Sequence, residues 1–154
     1  MVKAQASITI ARDIDTVYQF VAEDFERNYP RWSPEVKQLR MVSQGPLRVG
    51  SLAHQVRVDQ GRRTESTFEI VQMQPGERLS FQGTDVAYFV DYRFESVPND
   101  RTRLTFTFEL RRLELMMRPF EKLIRLTVQD GAQRTVRNVK RLIELEPAPE
   151  RSVA

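Results

Sequence analysis

Five polar side chains set among apolar neighbours are the places where this sequence could do chemistry: His54, Thr64, Ser66, Tyr88 and Tyr92. Alternate residues of an extended chain share a face. That puts His54 with Leu52, Val56 and Val58, Thr64 and Ser66 with Phe68 and Ile70, and Tyr88 and Tyr92 with Val90 and Phe94. If those faces close on a core, an imidazole able to act as acid or base near neutrality stands with several hydroxyls in an apolar chamber. Small-molecule pockets commonly have that composition. The plainer reading is a structural histidine and core tyrosines whose polar ends find partners. Trp32, outside any periodic stretch, either roofs such a chamber or closes the end of the core.

Other chemistries lack their residues. The chain has no cysteine, which removes disulfides, thiolate metal sites and cysteine nucleophiles together. One histidine without cysteine cannot supply the nitrogen or sulfur ligands of a zinc site, and no metal or cofactor is expected. The six glycines are scattered singly, so no phosphate-cradling loop is present. No serine lies in a Gly-x-Ser-x-Gly context. Catalytic residues are therefore unassigned.

The elements that must position these side chains follow from periodicity. Lys3 to Ile10 alternates as a half-buried strand, and Asp13 opens a short helix carrying Val17, Phe20 and Val21 to about Glu23. Between Asp24 and Pro34 two prolines leave room for at most one further helical turn before a loop. Strands are expected over 36–43, 51–58, 63–73, 78–84, 87–97 and 102–110, divided by Gly45 to Gly50, Asp59 to Arg62, Pro75-Gly76 and Pro98 to Arg101. In the last strand Leu104, Phe106, Phe108 and Leu110 alternate against Arg103, Thr105, Thr107 and Glu109.

From Glu114 to Leu145 apolar and small residues recur at three- and four-residue steps, the mark of one long amphipathic helix with Pro119 in its first turn or at a kink. Phe120, Ile124, Gly131 and Thr135 fall on its inner stripe, opposite Tyr88, Tyr92, Phe106 and Phe108. Gly131 either breaks the helix or leaves space for a ligand or a bulky strand residue. A sheet gripped by one C-terminal helix results, a single domain over 1–146 with a flexible tail over 147–154.

A composition of 40% hydrophobic and 29% charged residues describes an ordinary globular chain of 154 residues. The longest apolar runs are far too short to span a membrane, and no signal-peptide pattern opens the sequence, so a cytoplasmic protein without an integral membrane segment is expected. A net charge of +3 does not imply nucleic acid. Between Arg111 and Leu145, nine basic residues face four acidic ones. That cluster is either a solvated helix face or a surface for an anionic membrane or nucleic acid. An aromatic platform for single-stranded RNA is disfavoured, because the helix would cover the aromatic rows. The expected partner is a hydrophobic small molecule, with no nucleic acid; oligomeric state is open.

Three stretches carry a family resemblance: Ile8-Thr9-Ile10-Ala11-Arg12-Asp13-Ile14-Asp15-Thr16-Val17-Tyr18-Gln19-Phe20-Val21, Tyr29-Pro30-Arg31-Trp32-Ser33-Pro34-Glu35-Val36 and Gly45-Pro46-Leu47-Arg48-Val49-Gly50-Ser51. With the element order they make the chain similar to the SRPBCC (START/Bet v1-like) superfamily, closest to its polyketide cyclase/dehydrase and lipid transport family. The resemblance implies an α+β helix-grip fold: a seven-stranded curved antiparallel sheet wrapped around a long C-terminal helix, with two short helices between strands 1 and 2. It also implies a cavity between sheet and helix for a lipid- or polyketide-like molecule. Trp32, His54, Ser66, Phe68, Tyr88, Tyr92, Phe106, Phe108, Phe120, Ile124, Gly131 and Thr135 are the expected lining. The superfamily also contains polyketide cyclases, aromatases and dehydrases, and protein-interaction modules of the chaperone-activator or quinone-biosynthesis type. No catalytic motif transfers residue by residue, so these readings stay open beside ligand binding.

Overall fold

The computed structural model describes residues 1–147, and the expected tail beyond Pro147 lies outside the described residues. Strands β1 (Val2–Ile10), β2 (Val36–Met41), β3 (Leu52–Asp59), β4 (Arg62–Gln74), β5 (Arg78–Gly83), β6 (Tyr88–Val97) and β7 (Arg101–Leu110) form one antiparallel sheet in the order β1-β7-β6-β5-β4-β3-β2. Register shifts bend β2 between Val36 and Gln38 and β4 between Ile70 and Gln72, the kind of local irregularity that curves a sheet. The β3–β4 hairpin turns through Gln60 and Gly61, both at positive φ, as a two-residue turn matched to strand twist requires.

Between β1 and β2 the chain forms α1 (Ile14–Tyr18), a π-helical turn (Gln19–Glu23) and α2 (Phe25–Trp32). Here the expectation of at most one turn after Asp24 is corrected: α2 has eight residues with Pro30 inside. Phe25, Tyr29 and Trp32 lie at i, i+4 and i+7, one buried helical face, and Phe25 meets Phe68 and Phe81 edge-on at 6.1 and 5.7 Å. A proline inside a helix costs about 3 kcal/mol. Burying three large aromatics, at about 1.5–3 kcal/mol each, outweighs it. Trp32 accordingly ends a helix rather than sitting in a loop.

The long helix starts later than its periodicity indicates. Leu115–Phe120, which contains Pro119, is a 3-10 segment, and α3 runs over Glu121–Leu145. Its buried residues are Ala132, Val136, Val139 and Ile143, all in the C-terminal half. Side chains of α3 also close the free edge of β1. Gln129 bonds both backbone groups of Gln5, Lys140 Nζ donates to the Thr9 carbonyl at 2.6 Å, and Glu144 accepts from the Ala11 N–H at 2.9 Å. An exposed strand edge is thereby satisfied by a helix. Hydrogen bonds from Lys140 and Ala11 hold the Glu144 carboxyl below its usual range against the opposing effect of burial.

Two glycines distinguish empty space from tight contact. The helix runs through Gly131, whose missing Cβ would meet only the Arg134 guanidinium at 3.8 Å, so the helix-break reading is set aside. At Gly83 a methyl group would run into the Val86 carbonyl and lie 2.7 Å from the Tyr88 ring. In thermal or denaturant unfolding, Gly131→Ala is expected to be neutral to about 1 kcal/mol stabilising. Gly83→Ala is expected to destabilise by about 1–3 kcal/mol through overpacking. Equal effects at the two positions would contradict this packing.

Candidate functional site

Antiparallel register fixes which side chains share the concave face. Tyr92 opposes Phe106, Val90 opposes Phe108 and Tyr88 opposes Leu110 across β6 and β7, while Ser66 and Phe68 lie on β4 opposite Gln55 and Ala53. The Tyr92 and Phe106 rings are 5.2 Å apart, Tyr88 stacks with Phe108 at 6.5 Å, and Phe68 packs on Phe81 at 4.4 Å. From α2, Trp32 closes over this layer and its Nε1–H donates to the Tyr92 hydroxyl at 3.3 Å. Trp32, Ser66, Phe68, Tyr88, Tyr92, Phe106 and Phe108 thus converge on one interior surface.

His54 does not join them. Gln55 reaches Tyr29 and Tyr88 in the interior, so the inner row of β3 is Ala53, Gln55 and Arg57, and His54 points to the convex side with Nδ1 3.2 Å from Thr67 Oγ1. Alternation gives two rows and no face. Leu52, Val56 and Val58 make the His54 row the more apolar one, yet it is the outer row. The residues missed by sequence reasoning are polar ones: Gln55 and Arg57 on β3 and Tyr29 on α2. Their signal is that Gln55 and Arg57 share parity with Ala53, and that Tyr29 shares the aromatic face of α2.

These groups form a buried string. Arg57 Nη1 donates to Tyr29 Oη at 3.1 Å and Tyr29 donates to Gln55 Oε1 at 2.9 Å. Gln55 Nε2 then faces Tyr88 Oη at 3.3 Å and Ser66 Oγ at 3.5 Å, and those two hydroxyls are 3.0 Å apart. Outside it, Arg57 pairs with Asp59 at 3.1 Å. A buried polar string is tolerated because its members satisfy one another.

The α3 flank is seated unevenly. Ile124, Val128, Gly131 and Thr135 are half-buried, and the Thr135 hydroxyl is bonded to the Gly131 carbonyl at 2.9 Å. Phe120, expected on the inner stripe, is 53% exposed, as are Leu123 at 62% and Leu126 at 65%. The 3-10 segment ahead of α3 adds exposed Leu115 and Met116. Open hollows lie elsewhere on the described residues. One of about 290 Å³ lies against β1 between Ser7 and Gln133, another of about 200 Å³ lies beside the π-helical turn, and neither is lined by the expected site residues.

Burial pushes up the pKa of all four tyrosines. Tyr88 is raised from 10 to about 12, chiefly by desolvation, against the lowering effect of its bond to Ser66. Burial likewise raises Tyr29, against the attraction of Arg57. A phenol whose folded pKa is raised keeps its proton when the unfolded chain has lost its own. Its stabilising effect is complete below the ordinary pKa and is lost as pH rises through the window up to the folded value. Near-ultraviolet titration is expected to show little tyrosinate in the folded protein just above pH 10, with stability falling from there toward pH 12. The unfolded chain should ionise fully near pH 10. Ordinary ionisation of the tyrosines in the folded protein would contradict their burial.

Comparison with known proteins gives this geometry a family. No curated protein sequence matches the chain. Among solved structures, the Zhui aromatase/cyclase from Streptomyces sp. R1128 superposes with a TM-score of 0.75 at 14% identity, covering 92% of this chain and 93% of its own. A START superfamily protein from Mycobacterium smegmatis gives 0.72 at 14% identity, covering 93% and 97%. Major latex-like protein 151 from Panax ginseng gives 0.67 at 13%, covering 91% and 95%. At such identities these likenesses concern the fold, which is the helix-grip arrangement that the sequence resemblance implied. Residues 1–144 match the family described as polyketide cyclase / dehydrase and lipid transport, and the chain belongs to that family.

Proposed function

We propose that this protein binds an apolar small molecule, lipid- or polyketide-like, between the concave face of the sheet and the N-terminal half of α3. One observation carries the reading: α3 packs on β1 and on β7, whose inner row holds Phe106 and Phe108, yet none of its residues before Ala132 is buried. Sealed packing would bury side chains on both sides of that contact. The half-buried row of Ile124, Val128, Gly131 and Thr135 would come to border a ligand once the first turns of α3 shift outward. The family description and the aromatase/cyclase and START likenesses support the same class of ligand.

The interior polar groups support binding and orientation over proton abstraction. They are tyrosines kept neutral by burial, a serine, a glutamine and a guanidinium, and His54 faces the other side of the sheet. None of these tyrosine, serine, glutamine and guanidinium groups takes up a proton near neutral pH.

Anilinonaphthalene sulfonate fluorescence tests the reading. The folded protein is expected to bind the dye saturably and to release it to a competing fatty acid. Gly131→Leu, which puts a branched chain on the half-buried row, is expected to weaken binding by about tenfold, in line with overpacking costs of about 1–3 kcal/mol, while circular dichroism still reports a folded helix. Dye binding that never saturates would defeat the proposal. Full affinity in folded Gly131→Leu would move the site away from this flank.

A further inference from the structure

The string of hydrogen bonds from Arg57 to Tyr88 has a direction, and the direction selects a ligand. A guanidinium donates and never accepts, so Tyr29 Oη must receive the Arg57 Nη1 proton across 3.1 Å. The phenol's own proton then goes to Gln55, 2.9 Å away, and this requires the amide oxygen to face Tyr29. The amide nitrogen is thereby turned toward Tyr88 Oη and Ser66 Oγ, at 3.3 and 3.5 Å, and donates to them. These two hydroxyls carry one proton each. Across their 3.0 Å separation only one of the two can be used, since one hydroxyl donates and the other accepts. One O–H proton is left over, and no acceptor for it stands among the described residues. Both residues are all but buried, Ser66 at 9% and Tyr88 at 8% exposure.

Resting on the ligand-binding reading above, we infer that the Ser66–Tyr88 pair is a hydrogen-bond donor site that selects apolar ligands carrying an acceptor oxygen, such as a ketone or other carbonyl. A ligand offering only a donor leaves the spare proton unmet. A pure hydrocarbon leaves it unmet as well. A buried donor without a partner is costly, so the sense of the string translates into discrimination among molecules of the same shape. Arg57 sets the polarity from the far end without touching the ligand, and Gln55 transmits it.

Three tricyclic probes of nearly one shape separate the cases on the full-length protein. Fluorenone carries a carbonyl acceptor, fluorene carries neither donor nor acceptor, and carbazole carries an N–H donor. In displacement of bound anilinonaphthalene sulfonate, fluorenone is expected to act at about five- to tenfold lower concentration than fluorene, the effect of one net hydrogen bond. Carbazole, which leaves the spare proton unmet, should need a higher concentration than fluorenone. The infrared carbonyl stretch of bound fluorenone should lie below its position in hydrocarbon solvent. Gln55→Glu replaces the amide with a carboxylate that only accepts, so it draws in the protons of Tyr29, Ser66 and Tyr88, and the order of fluorenone and carbazole should invert. If that variant does not fold, the native ranking and the carbonyl stretch decide alone. Equal displacement by the three probes, preference for carbazole, or failure of all three to displace a saturably bound dye overturns this inference and leaves ligand binding standing. Absence of saturable dye binding defeats the ligand-binding reading itself.

Discussion

Half of α3 is fastened and half is not, and the rest of the molecule is arranged around that division. Ala132, Val136, Val139 and Ile143 sink into the core, and burial of the three branched side chains contributes about 1.5–3 kcal/mol each. Gln129, Lys140 and Glu144 stitch the helix to the edge of β1, where backbone groups would otherwise lie open. Ahead of Val128 neither kind of fastening amounts to much. Phe120, Leu123 and Leu126 stay in solvent, and Arg125 reaches the Met1 carbonyl and Glu121. The helix nonetheless continues without a break through Gly131, so its first turns project from an anchored base toward Met1 at the start of β1.

That geometry suits a fold whose interior is only partly self-sufficient. Around α2 the core is dense: Phe25, Tyr29, Trp32, Phe68 and Phe81 meet ring to ring at 4.4 to 6.3 Å. Toward Tyr88 the packing changes character, with a stacked Phe108, half-buried Leu110 and a line of polar groups in place of more aliphatic carbon. Replacing such a line by hydrocarbon is frequently neutral or stabilising. Its presence is intelligible if, as proposed above, it orients a bound molecule.

Much of the architecture was legible in the residues. Seven alternating stretches became seven strands, and the glycine- and proline-marked turns fell between them. Alternation also placed Ser66, Phe68, Tyr88, Tyr92 and Phe106 on rows that the structure buries. What was not legible has physical reasons. On β3, Val56 and Val58 made the His54 row look like the core row, because alternation separates two faces and says nothing of which is covered. Pro30 marked a helix stop that three buried aromatics overruled. Along α3 the apolar period is uniform while the burial is not: periodicity records a helix face, and only the partner surface decides whether that face is covered. The polar string needed a tertiary contact between α2 and β3 that no local pattern announces.

Hydrogen exchange along α3, read by mass spectrometry with and without saturating anilinonaphthalene sulfonate, tests the central claim most directly. Local opening free energy follows the buried contacts of a segment. Amides of residues 121–130 should exchange faster than those of 132–145 in the free protein, and the dye should slow the first group while leaving the second nearly unchanged. Uniform protection along the whole helix, or dye binding that leaves residues 121–130 as fast as before, would contradict a ligand held beneath the N-terminal half of α3.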